Sequence, residues 1–247
     1  MKTNILLFTF LFLLTFIPAK GQNAGQILKK VDNTILAVKD KTADVVMEMT
    51  NTSTGKGTIK KAILMQKGAD KKIFRYTYPK SDNGIATLTL PDAVYLYLPM
   101  FKKPKKITNM AQSKTFNKSD FSLSDAGLLP YEKHFTAKLV KTTSTEYILK
   151  LTPKQDLEEY GSLVMTVNKK HYYPDKIEYY DKSGSLLKEG VYNYKNIGKY
   201  WVADVITMTN LKKGHKTTVK MTNIKINKGL KDKDFTVEKL APQKNKK

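Results

Sequence analysis

Three histidines, His134, His171 and His215, are the side chains best suited to ligate a transition metal or move a proton near neutral pH, and they lie far apart in the sequence. Each sits beside lysine or tyrosine, at a strand end or hairpin turn. No H-E-x-x-H helix accompanies them and no carboxylate stands at ligand spacing, so surface roles are expected and no metal site. Two acidic pairs have the composition for general acid–base work, Glu158–Glu159 and Asp120–Asp125. The first falls in a hairpin connection, and the second fits a helix cap, with Ser122 three residues before Asp125. The chain has no G-x-S-x-G elbow, P-loop or G-x-G-x-x-G loop. It also has no cysteine, which excludes thiolate chemistry, disulfide staples and a lipid-modified N-terminal cysteine. Neither a catalytic residue nor a cofactor is expected.

What remains is charge and apolar surface. The 247 residues carry a formal net charge of +22, and Arg75 is the only arginine. Lysine is a hydrated point charge, whereas bidentate reading of phosphates and base edges prefers arginine. Nucleic acid is therefore not an expected partner. Weak attraction to an anionic membrane surface or to an acidic envelope partner remains in keeping with the charge.

The chain opens MKTNILLFTFLFLLTFIPAKGQ, with Lys2, an apolar run from Ile5 to Ile17, and Ala19-Lys20-Gly21 after Pro18. This layout predicts a secretory signal peptide over residues 1–21, cleaved before Gln22, and an exported protein. No later run approaches the roughly 20 apolar residues of a membrane-spanning helix. Residues 22–240 are expected to form one domain, followed by a loose basic tail over 241–247.

The elements follow from hydrophobic period. Ile27, Leu28, Val31, Ile35 and Val38 recur at three and four residues, predicting an amphipathic helix from Asn23 to about Lys39. From Thr42 onward the period becomes two, and turn signals such as TSTGKG, SDNG, DKSGS and NIGK separate short strands. About ten or eleven antiparallel strands in a meander result, a mainly β (α+β) chain. A sheet this wide must curl or split. The meander breaks between Thr108 and Phe135, where a short helix through Leu129, ended by Pro130, is expected. A loop this long in a β domain is often a binding element. Alternating Val, Leu, Ile and Met, with nine methionines, provide either a packed core or an adaptable apolar pocket.

The run AVYLYLPMFKKPKKI, followed by SKTFNKSDFSLSDAGLL, resembles the outer-membrane lipoprotein-sorting proteins of the LolA/LolB-like superfamily. The resemblance rests on Tyr97, Leu98 and Pro99 at a strand end, on Lys105, Lys106 and Ile107, and on Phe116, Ser119, Asp120 and Phe121. It extends to Asp234 and Phe235 before a last short strand and Leu240. Lys106 stands where the family usually has arginine. The resemblance implies an antiparallel curled sheet forming an unclosed β-barrel, with the N-terminal helix and a short helix as lid, and a cavity for acyl chains.

On that reading Val45, Met47, Met49, Ile63, Met65, Val94, Leu96, Leu98, Met165 and Met221 line the cavity. Phe116, Phe121, Leu123 and Leu128 belong to the lid, and Lys102, Lys103, Lys105 and Lys106 form a basic rim for headgroups. The implied function is that of a periplasmic, non-enzymatic carrier or binder of lipids or lipid-modified proteins. The alternative is an exported interaction module with a filled core and a basic surface for anionic envelope polymers or a protein partner.

Overall fold

A computed structural model describes residues 23–107, 119–122, 125, 129–155, 157 and 159–241. Thirteen strands form one antiparallel sheet. From its middle, β1 (Asp40–Asn51), β2 (Gly57–Lys67), β3 (Lys71–Tyr78), β4 (Ala86–Leu90), β5 (Ala93–Tyr97) and β6 (Pro104–Ile107) step outward to one edge. The chain then resumes at the opposite edge with β7 (Phe135–Thr142). It returns through β8 (Glu146–Pro153), β9 (Ser162–Asn168), β10 (Pro174–Tyr180), β11 (Leu186–Ile197), β12 (Tyr200–Asn210) and β13 (His215–Ile226). The last strand pairs with β1, so among the described residues β6 and β7 are the two edges and the barrel is unclosed.

The strand number exceeds the ten or eleven expected from period. The strands that the period does not single out are β4, which alternates over only five residues, the edge β7, which alternates from Phe135 to Leu139, and the edge β6, where Pro104 and paired lysines leave no alternation. Edge strands carry lysine and proline because an apolar edge would recruit another chain, and that protection erases the signal that marks a strand.

The N-terminal helix α1 (Ala24–Ile35) starts at Asn23, whose side-chain oxygen accepts the Gly25 N–H at 3.0 Å. Its buried face, Ile27, Leu28 and Val31, packs on Leu149, Leu151, Leu163, Met165, Val167 and Ile177 of β8 to β10. Burial of each such side chain stabilises by about 1.5–3 kcal/mol. The second helix, α2 (Tyr131–His134), begins after Pro130. Pro130 precedes this helix, and the short helix expected through Leu129 lies mostly outside the described residues. The fixed φ of proline suits a helix start as well as a stop. Buried Asp32 of α1 accepts the backbone N–H groups of Tyr131 and Glu132, both at 2.8 Å, and ties the two helices together. Desolvation raises its pKa, against the lowering effect of those two N–H groups.

On the outer face the C-terminal residues cover β3 to β5. They form two short 3-10 turns, Asp232–Asp234 and Val237–Leu240, where a last strand was expected. Phe235 and Leu240 pack on Ile73, Ala86, Leu88 and Tyr97, and Arg75 donates to the carbonyls of Leu240 and Lys239 at 2.8 and 2.7 Å.

Candidate functional site

Because β6 and β7 lie at opposite edges, the connection between them must cross the sheet, and its described residues cross the inner face. Two polar anchors hold this strap. The buried Asp120 carboxylate meets His215 Nδ1 and accepts the Thr217 hydroxyl, each at 2.7 Å, while the Asp120 N–H donates to Thr217 Oγ1 at 3.0 Å. Ser122 and Asp125 make a reciprocal pair: Asp125 Oδ2 accepts the Ser122 N–H at 2.8 Å, and Ser122 Oγ accepts the Asp125 N–H at 3.3 Å.

Asp125 then meets Lys188 of β11 at 3.0 Å, with Glu159 at 3.2 Å from the same ammonium and the Tyr160 hydroxyl donating to Asp125 at 2.5 Å. Lys188 is only 3% exposed, between the rings of Tyr160 and Tyr179. Burial and the neighbouring carboxylates push the Tyr160 phenol far up. The acidic pairs that the sequence offered for acid–base chemistry thus serve as anchors. Glu158 lies outside the described residues.

Between strap and sheet lies a cavity in two compartments. The larger, about 240 Å³, is walled by Met47, Leu64, Phe74, Tyr76, Val219 and the strap residue Phe121. The smaller, about 180 Å³, lies against Ile35, Leu129, Tyr131, Tyr192, Tyr194 and Trp201. Lys41, Gln66, Lys72, Ile206 and Met221 border both, so the compartments meet there. Burial raises the phenols of Tyr131, Tyr192 and Tyr194, Tyr192 to about 12, so they face the cavity as neutral hydroxyls. Among the described residues no group of acids and histidines could hold a metal ion.

Sequence alternation sorts the expected cavity residues only in part. Met47, Met221 and Phe121 are on the cavity wall. Val45 and Met49 share the inward face of β1 and are buried beside it. Val94 and Leu96 point inward on β5, one strand beyond Thr89 and Thr87 of the cavity wall, and do not border the cavity themselves, and Leu98 follows the strand end. Three assignments need correction. Ile63 and Met65 lie on the outer face of β2, because Ala62, Leu64 and Gln66 take the inward positions. Ile63 is 43% exposed and Met65 packs against the C-terminal cover. Met165 is fully buried in the packed core beneath α1.

The four lysines do not form one rim. Lys105 pairs with inward Leu96 and Lys106 with outward Tyr95, so they point to opposite faces of an edge strand, while Lys102 and Lys103 occupy the preceding turn. All four are exposed and none borders the cavity. Phe116, Leu123 and Leu128 lie outside the described residues, as do the expected cleavage site and the residues after Ala241. Reading β1 to β3 by period alone also missed Lys41 and Lys72, because lysine at an inward position looks like a break in the pattern.

An unclosed antiparallel half-barrel, strapped across its inner face and holding an apolar cavity there, defines a class of protein. A family model described as "-like: Uncharacterized protein" matches residues 68–242. A crystal structure of a domain from Vibrio parahaemolyticus assigned to the outer membrane lipoprotein-sorting proteins superposes with a TM-score of 0.80 at 27% identity, covering 89% of this chain and 98% of that one. A LolA superfamily protein from Nitrosomonas europaea has the same fold at TM-score 0.73 and 23% identity, over 87% and 98% of the two chains. A DUF1329 family protein from Desulfovibrio piger matches at TM-score 0.80 and 22% identity, over 88% and 97%. No curated protein matches the sequence. The chain belongs to the matched family and has the fold of the LolA superfamily structure.

Proposed function

We propose that this protein is a non-enzymatic carrier or binder of lipids or lipid-modified proteins, exported to the periplasm after cleavage before Gln22. The observation that carries the reading is the two-compartment cavity between the strap and the inner face of the sheet. Kinship with a lipoprotein-sorting domain supports it. Among the described residues no helix is long and apolar enough to cross a membrane. An acyl chain would enter beneath the strap and exchange water for the walls of the cavity. At about 0.8 kcal/mol per methylene, an eight-carbon segment supplies roughly 6 kcal/mol before ordering costs. The exposed lysines speed encounter with an anionic membrane surface or envelope partner and add little to the grip, since salt screens them.

Mass spectrometry of an organic extract tests this. Protein purified from its own envelope should carry an acyl-chain amphiphile, and Ile206→Phe, which fills the point where the compartments meet, should carry none. Protein that is lipid-free as purified, and that takes up no added lipid, would contradict the reading.

A further inference from the structure

Among the described residues five lysines project onto the inner face of the sheet; Lys105 is exposed on the edge strand β6, and the other four divide into two kinds. Lys60 meets Asp82 at 2.6 Å, and Lys188 meets Asp125 and Glu159 at 3.0 and 3.2 Å. These two obey the rule that a cation taken out of water keeps a carboxylate beside it. Lys41 and Lys72 have no hydrogen-bonding or ionic partner among the described residues. They are also not remote from each other. In the sheet register Lys41 of β1 stands opposite Gln66 of β2, Gln66 stands opposite Lys72 of β3, and Lys72 opposite Thr89 of β4, so the four side chains form one row on one face. With strands about 4.8 Å apart, the two lysine backbones are roughly 10 Å from each other, within the span of two converging side chains.

Both lysines border both compartments. Asp40 also lines the smaller compartment, but its two oxygens accept the backbone N–H groups of Lys228 and Gly229 at 2.7 and 3.0 Å. Gln66 uses its side-chain N–H on the Gly68 carbonyl at 2.9 Å. The remaining titratable walls are phenols, those of Tyr76, Tyr131, Tyr192 and Tyr194, and burial raises the last three. The pair therefore costs stability in the empty protein, and an anion placed between them would offset that cost. Desolvation lowers both ammonium groups to about 8, and for Lys41 the charge of Lys72 adds to it.

Resting on the carrier function proposed above, we propose that the cavity holds its amphiphile head inward: an anionic headgroup sits between Lys41 and Lys72, and a single acyl chain runs into the compartment of Met47, Leu64, Phe74 and Phe121. The combined space is at the lower end of the range of about 300–1,000 Å³ seen for small-ligand pockets, which suits one chain and its head. Carboxylate and phosphate heads share the required chemistry, a compact anion with several acceptor oxygens. A lipid whose head must stay at the surface would leave the two lysines unmatched.

The test is equilibrium binding of three probes with the same chain, oleate, oleoyl lysophosphatidate and oleyl alcohol, to the full chain and to Lys41→Met/Lys72→Met, at pH 7. The substitution keeps length and removes charge, so the empty variant should unfold at a higher temperature than the parent, which also establishes that it folds. Loss of two charge-assisted contacts predicts at least about tenfold weaker binding of one or both anionic probes, with oleyl alcohol within about twofold. Whichever anion loses most identifies the headgroup. If all three probes bind the variant as tightly as the parent, the head-inward site is wrong and the carrier reading survives. Failure of every probe to bind the parent overturns both.

Discussion

Met165 on β9 and Met221 on β13 both point inward, yet α1 covers the first and the strap crosses above the second. Beneath α1 the inner face meets a continuous apolar stripe and closes into a core in which Leu149, Leu151, Leu163 and Met165 are fully buried. Beneath the described strap residues, held by the carboxylates of Asp120 and Asp125, space remains. Identical residue types therefore become core or cavity according to what lies over them. The two coverings also differ in kind: dispersion and burial hold the helix, whereas Asp120 and Asp125 hold the strap.

The strongest way to break this comparison is truncation on each side. Leu163→Ala should cost about 2–5 kcal/mol in denaturant unfolding, because it opens a void in a filled region. Met221→Ala should cost about 1 kcal/mol, since it enlarges a space already present. Equal losses would mean that the two regions are packed alike.

Alkaline titration sharpens the comparison next. Lys41 and Lys72 are charged in both folded and unfolded chains below pH 8, so their penalty is fully present there. Between about pH 8, their folded value, and 10.5, their unfolded one, the unfolded chain binds more protons and stability rises with pH. Above about pH 10 the buried tyrosines act in the opposite sense, as unfolded phenols ionise and folded ones do not. From pH 8 to 9.5 the parent should gain about 1–3 kcal/mol relative to Lys41→Met/Lys72→Met, and parallel curves would place these ammonium groups in water.

Asp120→Asn addresses the strap itself. It weakens the contacts to His215 and Thr217 and should cost roughly 1 kcal/mol, while speeding the release of a preloaded fluorescent fatty acid several-fold. Unchanged release would show that the strap does not retain cargo. The smallest effect concerns the lysines around Pro104. Changing Lys102, Lys103, Lys105 and Lys106 to Gln should slow transfer to anionic vesicles no more than changing Lys138, Lys141, Lys213 and Lys216, all of them exposed. A specific loss in the first set would restore the rim that the structure disperses.

How much of this was legible in the sequence depends on the signal each element carries. Helix α1 and the long central strands were readable because one face of each is buried, and burial imposes a period on the residue types. The edge β6 was not, because protection of an open edge replaces apolar residues with lysine and proline there. Which methionines face a cavity was also illegible. Met65 faces outward because the C-terminal segment supplies an apolar cover there, and period two cannot tell which of two covered faces is the inner one. Lys41 and Lys72 could have been found only by asking which lysines fall on the same parity as Val45 and Leu64, within an otherwise apolar face.

The central claim is that the space beneath the strap takes an acyl chain. Trp201 is the only tryptophan in the sequence and lines the smaller compartment, which meets the larger one at Ile206 and Met221, so its fluorescence reports on whatever enters the cavity. A fatty acid brominated near the middle of its chain quenches only at close range. Titrated into the full-length protein, it should quench Trp201 saturably at about one molecule per chain, and Ile206→Phe should abolish the quenching. Quenching that never saturates, or that persists undiminished in Ile206→Phe, would contradict a cargo held in the cavity.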